Sequence, residues 1–372
     1  MSGHFSAAEQ VARLQLIRSD GVGPVGFRHL LARFGGAADA VAALPDLARR
    51  NGVASVGFSR AAADTEFGRA ADIGARHVFL GEADYPALLA ELHDAPPVVI
   101  VLGDTALGNR PGVAIVGARN ASAAGRGLAR GLAEDMGRAG WVVVSGMARG
   151  VDAAAHTGAL ATGTIACIAG GIDVAYPPEN AELQHDVAMR GLVISEMPPG
   201  TEPQARHFPR RNRLIAGISR GVVVVEAALG SGSLITARMA GEAGREVMAV
   251  PGHPADPRAR GGNLLLKEGA ELVEDAGDVI AVLGAFGACR EAGPQGLSRY
   301  GNAAAGPRVE PGEMAASNVL HVVEALLSSV PVQVDEVVRL SGFDVASVMT
   351  VLVDLELDGR LLRHAGGRVA LA

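Results

Sequence analysis

The stretch "FPRRNRLIAGISR" (208–220) gathers cations in an acidic chain. Between Thr201 and Arg220 there are five arginines and one glutamate, in a protein of 372 residues with formal net charge -7. What a surface attracts depends on its local field more than on the total charge. A polyanion partner is therefore compatible with net acidity. The pattern predicts a helix from Asn212, with Arg211 and Arg213 near its start. Cations there oppose the helix dipole by up to ~1 kcal/mol, and an anion held between them would offset that cost. Phe208, if exposed beside them, could stack on a base; if buried, it would staple the helix. Lys267 is the single lysine, so each arginine marks a cation and says little about bidentate geometry.

Three glycine-bearing turns carry the remaining chemistry. In "VAIVGARNASAAGRG" (113–127) a strand ends at Gly117, Arg119 follows, and a helix begins near Ser122. Free amides at a helix start can hold a phosphate, and Arg119 would add a full charge. The plain alternative is a strand-to-helix turn with a solvated arginine. The glycines do not have the G-x-G-x-x-G spacing, and the next strand ends in Ser145-Gly146 rather than the acidic residue that grips an NAD ribose. No dinucleotide cofactor is expected.

In "VVVSGMARGVDAAAHTGAL" (142–160), Asp152 and His156 are four apart and share a helix face. Two such residues do not complete a metal site, and they read as an internal polar contact that anchors the loop. In "VVVVEAALGSGSLITARMA" (222–240), Glu226 closes a strand, and Gly230, Ser231, Gly232 and Ser233 lead into a helix carrying Thr236. Small residues with free amides and hydroxyls form an anion cradle, or simply a capped helix start. The lysine of a phosphate-binding P-loop is missing, so ATP hydrolysis is unsupported.

The elements that must position these turns follow from periodicity. Apolar runs begin at His77, Val98, Val113, Trp141, Thr164, Leu192, Gly221 and Glu246 and alternate with helical stretches. Several are continuously hydrophobic and β-branched, as parallel strands buried on both faces are. The spacing predicts βαβ crossovers and a doubly wound, mostly parallel α/β sheet, with ligands at the carboxyl ends of its strands.

Residues 1–75 read as a helical module of the SAM-like or helix-hairpin-helix type, built around "GVGPVGFRHLLARFG" (21–35). Such modules sometimes hold DNA backbone; a helix pair packed on the rest is the plainer reading. Residues 76–287 form the sheet domain, 288–314 a flexible Gly- and Pro-rich linker, and 315–372 three helices and a hairpin, a winged helix.

Composition narrows the class. Hydrophobic residues make up 49%, enough for a sizeable core. Two cysteines, Cys167 and Cys289, argue against a disulfide framework or a cysteine-rich metal site. The start has no apolar signal core and no long apolar run is present, so a soluble cytoplasmic protein without a membrane partner is expected.

Taken in order, "DYPALLAELHDAPPVVIVLGD", "VAIVGARNASAAGRG", "VVVSGMARGVDAAAH", "TGTIACIAGGIDVAYPPEN", "FPRRNRLIAGIS", "GSGSLITARMAGEAGREVMAVPG" and "NLLLKEGA" resemble the DprA (Smf) family of DNA-processing proteins. The resemblance implies an extended Rossmann-like domain that binds single-stranded DNA, forms a homodimer and passes strands to the recombinase RecA where single-strand-binding protein competes, best known in natural transformation. It implies binding and handover without turnover, and no cofactor. Carried onto this sequence, the DNA pocket comprises Gly117, Arg119, Ser145, Gly146, Phe208, Arg211, Asn212, Arg213, Ser231, Gly232 and Ser233. Arg210, at a variable position of the motif, joins them less firmly.

Two other classes compete. Phosphoribohydrolases of similar fold carry a catalytic glutamate where "GSGSLITA" has Ala237. A winged-helix regulator sensing a nucleotide would need a cationic recognition helix. Residues 315–372 carry four arginines against seven acids, and the third helix has Asp344, Asp354, Glu356 and Asp358 and no cation. Duplex readers surround such a helix with phosphate-contacting cations, so this domain is expected to be an interaction or regulatory module.

Overall fold

The computed structural model describes residues 3–50, 57–291, 313–327, 331–364 and 367–371. The chain divides into two compact units, Met1–Val11 with Arg60–Arg299, and Ala12–Ser59 with Tyr300–Ala372.

The larger unit is built on one nine-stranded sheet. Helix α1 (Ala7–Arg18) starts in this unit, α2 (Pro24–Phe34) and α3 (Ala37–Arg50) lie in the other, and α4 (Arg60–Asp72) returns to the first. Then follow β1 (Arg76–Phe79), α5 (Ala87–Ala90), β2 (Val98–Gly103), β3 (Gly112–Gly117), α6 (Ala123–Arg138), β4 (Val142–Ser145), α7 (Val151–Ala159) and β5 (Thr164–Ile168). The second half holds α8 (Ala181–Arg190), β6 (Leu192–Ser195), α9 (His207–Ile218), β7 (Gly221–Val225), α10 (Gly232–Glu242), β8 (Glu246–Ala249), α11 (Arg260–Lys267), β9 (Glu271–Leu272) and α12 (Ala276–Glu291).

Strand order is β1-β2-β6-β5-β4-β3-β7-β8-β9. From β3 the chain winds outward through β4, β5 and β6, then returns to the centre to lay β7 against the other side of β3. The β3–β7 seam is therefore the topological switch point, where open α/β sheets bind ligands. Its parallel register runs from Ala114 opposite Val222 to Gly117 opposite Val225. All eight strands expected from the sequence form. The pairs β1–β2 and β2–β6 are antiparallel, and β9 extends the far edge by two residues.

Strand alternation explains why the runs read as unbroken apolar. On one face Ala114, Val116, Val144, Val222 and Val224 pack against Leu214, Ile215 and Ile218 of α9 and Ala237 and Ala240 of α10. On the other, Val113, Ile115, Val143, Val223 and Val225 meet Ala129, Leu132 and Met136 of α6 and Val151 and Ala155 of α7. Both faces of the central strands are covered, as parallel sheets require.

The smaller unit has two apolar clusters. One joins Leu16, Phe27, Leu30, Ala40, Leu44 and Leu47 of the helical module. Helix α2 starts with Pro24 and ends at Gly35 in the left-handed region. The other is the winged helix: α13 (Glu313–Leu326), β10 (Val332–Gln333), α14 (Val334–Ser341), α15 (Val345–Leu357), β11 (Leu361–His364) and β12 (Arg368–Leu371), with sheet order β10-β12-β11. Helix α15, the third of the domain, opens on an Asp344 cap whose carboxylate accepts from Ser347 N at 3.0 Å. Its acids are engaged. Asp354 lies 3.5 Å from His29 and Asp358 3.4 Å from Arg33, both on α2, while Glu356 accepts from Arg363 at 2.8 Å. Most of the expected linker and the hairpin tip at 365–366 fall outside the described residues.

Candidate nucleic-acid interface

A groove of about 710 Å³ opens at the switch point, where the loops after β3 and β7 meet the start of α9. A smaller cavity of about 220 Å³ adjoins it. Arg119, Phe208 and Arg211 line both.

The floor is set by close backbone approach. Gly117 ends β3, and a Cβ there would stand 1.8 Å from the Val225 carbonyl oxygen. Gly146 follows β4, and a Cβ there would stand 1.1 Å from Arg211 Nη1. At Gly117 the obstacle is backbone, so glycine alone fits; at Gly146 it is the Arg211 side chain, which any larger residue would displace. Flanking them, Met147 (φ 58°) and Glu226 (φ 50°) hold left-handed backbone without being glycine, a conformation that costs of order 1–3 kcal/mol and clusters at functional sites.

Arg211 is buried, and its Nη1 lies 3.6 Å from Asp152 Oδ2 on α7. Burial pushes the Asp152 carboxyl upward, and Arg211 opposes that shift. His156, one turn along, does not join them. Its Nδ1 meets Thr164 Oγ1 at 2.8 Å, and burial drops its pKa to about 3. It is a neutral packing group. Beneath Arg211, burial pushes the Cys167 thiol up to about 12, so it is inert as a nucleophile.

Above this floor the Arg119 guanidinium stands 5.2 Å from the centroid of the Phe208 ring, and that of Arg211 5.9 Å. Both are within cation–π reach. The groove's opposite wall is the start of α10. Ser231 caps that helix, accepting from Ser233 N at 3.3 Å, and its Oγ meets Ser233 Oγ at 2.7 Å. Gly232, Thr236 and Arg258 complete that wall. Asn212 is buried and donates to the Gly232 carbonyl at 3.4 Å, tying α9 to the α10 turn.

The α6 turn behaves differently from expectation. Glu226 Oε2 accepts from Ser122 N at 2.8 Å and Oε1 meets Ser122 Oγ at 2.5 Å. Ser122 Oγ in turn accepts from Gly125 N at 2.9 Å. The protein's own carboxylate and hydroxyl occupy this helix start, so the α6 amides are not open to an anion, and Arg119 is the charged group this turn brings to the groove.

The structure thus brings Gly117, Arg119, Phe208, Arg211, Asn212, Ser231, Gly232 and Ser233 to one groove, with Gly146 on its floor. Three residues grouped with them from sequence stand apart. Ser145 is wholly buried, its hydroxyl donating to the Ile115 carbonyl at 2.6 Å. Arg210 is exposed and lines neither cavity. Arg213 points to the opposite side of α9, donating to Asp94 at 2.8 Å and to both Glu196 oxygens at 2.9 and 2.8 Å. Burial works against its charge, but Glu196 and Asp94 outweigh it and hold its pKa above the ordinary value. Sequence reasoning passed over Tyr176, Arg149 and Arg258. The signal for the first was "YPPEN" (176–180), an aromatic between two loops in an aromatic-poor chain.

Fold and groove together define a class: a doubly wound α/β protein with an arginine-lined groove at its switch point, joined to a helical module and a winged helix. The chain belongs to the DNA recombination-mediator protein A family, whose model matches residues 76–284. A DprA-like N-terminal helix-hairpin-helix model matches residues 7–68 and a DprA winged-helix model residues 308–367. DNA processing protein DprA of Bacillus subtilis is 43% identical over 213 residues, covering 56% of this chain and 72% of that protein. Protein Smf of Synechocystis is 33% identical over 310 residues, 77% of this chain and 78% of that protein. Among solved structures, DprA from Streptococcus pneumoniae has TM-score 0.56 and 40% identity over 60% of this chain and 77% of its own. Helicobacter pylori DNA processing protein A, described for its single-stranded DNA binding mode, has TM-score 0.53 and 30% identity over 57% of this chain and 97% of its own. No described helix is long and apolar enough to cross a membrane, and among the described residues no three His, Cys, Asp or Glu side chains gather as metal ligands.

Proposed function

We propose that this chain binds single-stranded DNA without sequence preference in the switch-point groove and presents it to the RecA recombinase in the cytoplasm. One observation carries the reading: Arg119 and Arg211 converge on the Phe208 ring, facing the Ser231-Gly232-Ser233 turn across the groove. Arginines and turn amides suit phosphates, and an aromatic suits bases of any kind. The single-stranded DNA binding of the Helicobacter pylori relative supports the same assignment. The protein acts as a homodimer that binds and hands over without turning over a substrate. Strands covered by single-strand-binding protein are its natural targets, including those entering during transformation.

The test is a titration of single strand against duplex across a range of salt. Single strand binds more tightly, and log affinity falls linearly with log salt. Duplex binding as tight as single-strand binding sinks the reading. RecA filament assembly on strands coated with single-strand-binding protein, with and without the chain, tests the handover.

The winged helix serves as an interaction module rather than a duplex reader, since the acids of α15 already face His29, Arg33 and Arg363.

A further inference from the structure

A groove suited to phosphates contains a carboxylate. Asp152 of α7 lines it together with Arg119 and Arg211, although an anion there repels the ligand that the arginines attract. The carboxylate is buried, and its Oδ2 accepts from Ala148 N at 3.3 Å. The same oxygen lies 3.6 Å from Arg211 Nη1, longer than the roughly 2.7–2.9 Å of a charge-assisted hydrogen bond. Arg211 is itself buried, and its Nε donates to nothing among the described residues. A guanidinium is a fork of N–H donors, so this one is held by its counter-ion without being satisfied by it.

The groups around the pair keep their charge near neutral pH. His156, one turn along α7, stays neutral because burial drops its pKa to about 3. Cys167 on β5 stays a thiol, pushed up to about 12. Arg119, on the loop after β3, faces the pair as a cation. Arg126 and Arg130 of α6 and Glu182 and His185 of α8 are exposed. The Asp152 carboxyl is already raised by burial, with Arg211 and the amides of Ala148 and Gly146 opposing. A phosphate placed on Arg211 sets a second anion beside the first, and when two anions share a site one is driven toward its neutral form. The carboxylate is the one that accepts a proton, since a phosphodiester stays ionised. We propose that Asp152 is a displaceable counter-ion, which seats Arg211 in the groove until a DNA phosphate arrives and then takes up a proton from solvent. Strand capture and proton uptake are thereby one event. This assignment rests on the single-strand reading of the groove, and within it Asp152 is a positioning residue that acts through Arg211.

The experiment titrates the full chain with a labelled thymidine oligonucleotide, whose bases do not titrate in the range used, at fixed salt from about pH 8 to about pH 5. Wild-type affinity rises as pH falls, by up to about tenfold per unit, the slope of one linked proton. The carboxyl has its higher pKa in the bound state, so the gain begins below that value and levels off once the free protein is protonated too. Calorimetry in buffers of different ionisation enthalpy reads the uptake directly. Asp152→Asn keeps an acceptor for the Ala148 amide and removes the charge. It binds more tightly than wild type at the alkaline end and loses the slope, whereas a change to a merely structural residue would weaken binding and leave the slope. His207 is the competing proton acceptor. It opens α9, and burial, then Arg206 and Arg210, hold its pKa below the ordinary value. His207→Gln therefore keeps the slope. If Asp152→Asn retains the slope, if His207→Gln abolishes it, or if wild type binds the strand without proton uptake, the proposal is wrong and the groove stands. If wild type binds no strand at any pH, the groove reading itself falls. Should Asp152→Asn fail to fold, wild-type calorimetry and His207→Gln decide between the two outcomes.

Discussion

The Arg211 guanidinium lies in the space a side chain at Gly146 would occupy, 1.1 Å from the Cβ position. The residue that follows β4 and a residue in the second turn of α9 therefore share one volume, and the placement of a cation depends on a missing methyl group.

Gly146→Ala forces Arg211 off its seat beside Asp152. Single-strand affinity should fall as far as in Arg211→Ala, and the overpacked methyl should cost ~1–3 kcal/mol of stability. Binding isotherms of both variants, with urea unfolding, check this. Wild-type affinity in Gly146→Ala would show that Arg211 does not need this seat.

Arg119 and Arg213 separate binding from folding. Arg119→Ala should lower affinity and salt dependence while stability stays within ~0.5 kcal/mol. Arg213→Ala removes two hydrogen bonds from the largely buried Glu196 and should cost ~3 kcal/mol, with the remaining folded protein binding DNA normally. Thermal melts and titrations on the same samples give both readouts.

His156 makes the fold acid-sensitive. Its folded pKa is about 3, against 6.5 in an unfolded chain. Below pH 6.5 the unfolded state takes up a proton that the folded state refuses, so stability is lost as pH falls from 6.5 toward 3, by up to ~1.4 kcal/mol per pH unit. His156→Gln should flatten that part of the curve. Urea unfolding at several pH values compares the slopes, and equal slopes would clear His156 of the effect.

Removing residues 315–372 should leave both single-strand and duplex affinity unchanged at low salt, since Asp358 and Glu356 of α15 are engaged with Arg33 and Arg363 of their own unit. A drop in duplex binding on truncation would restore a reading role to the winged helix.

Much of the central domain was legible because burial on both faces leaves continuous β-branched runs, and eight such runs became eight strands. Direction was not legible. The run at Val98 looks like its neighbours, and only pairing with β1 and β6 makes it antiparallel. The two residues of β9 are too few to show a pattern. At the site, Gly117, Arg119 and the Ser231–Ser233 turn followed from where strands end. Arg213 misled because its partner Asp94 lies 119 residues earlier, a distance over which sequence carries no charge bookkeeping. Ser145 misled because a hydroxyl at a strand end reads the same whether it faces solvent or the Ile115 carbonyl. Glu226 is the same lesson in reverse: the carboxylate that fills the α6 start comes from 104 residues away.

Helix α9 presents Arg211 to the groove and Arg213 to the acidic pair behind it. Each residue advances a helix by about 100°, so one inserted or deleted residue within 208–213 would swing the clamp toward the nucleic acid and drive the ligand-facing cation into carboxylates. Spacing here is a rotational code, and the motif should forgive many exchanges of side chain while rejecting any change of length.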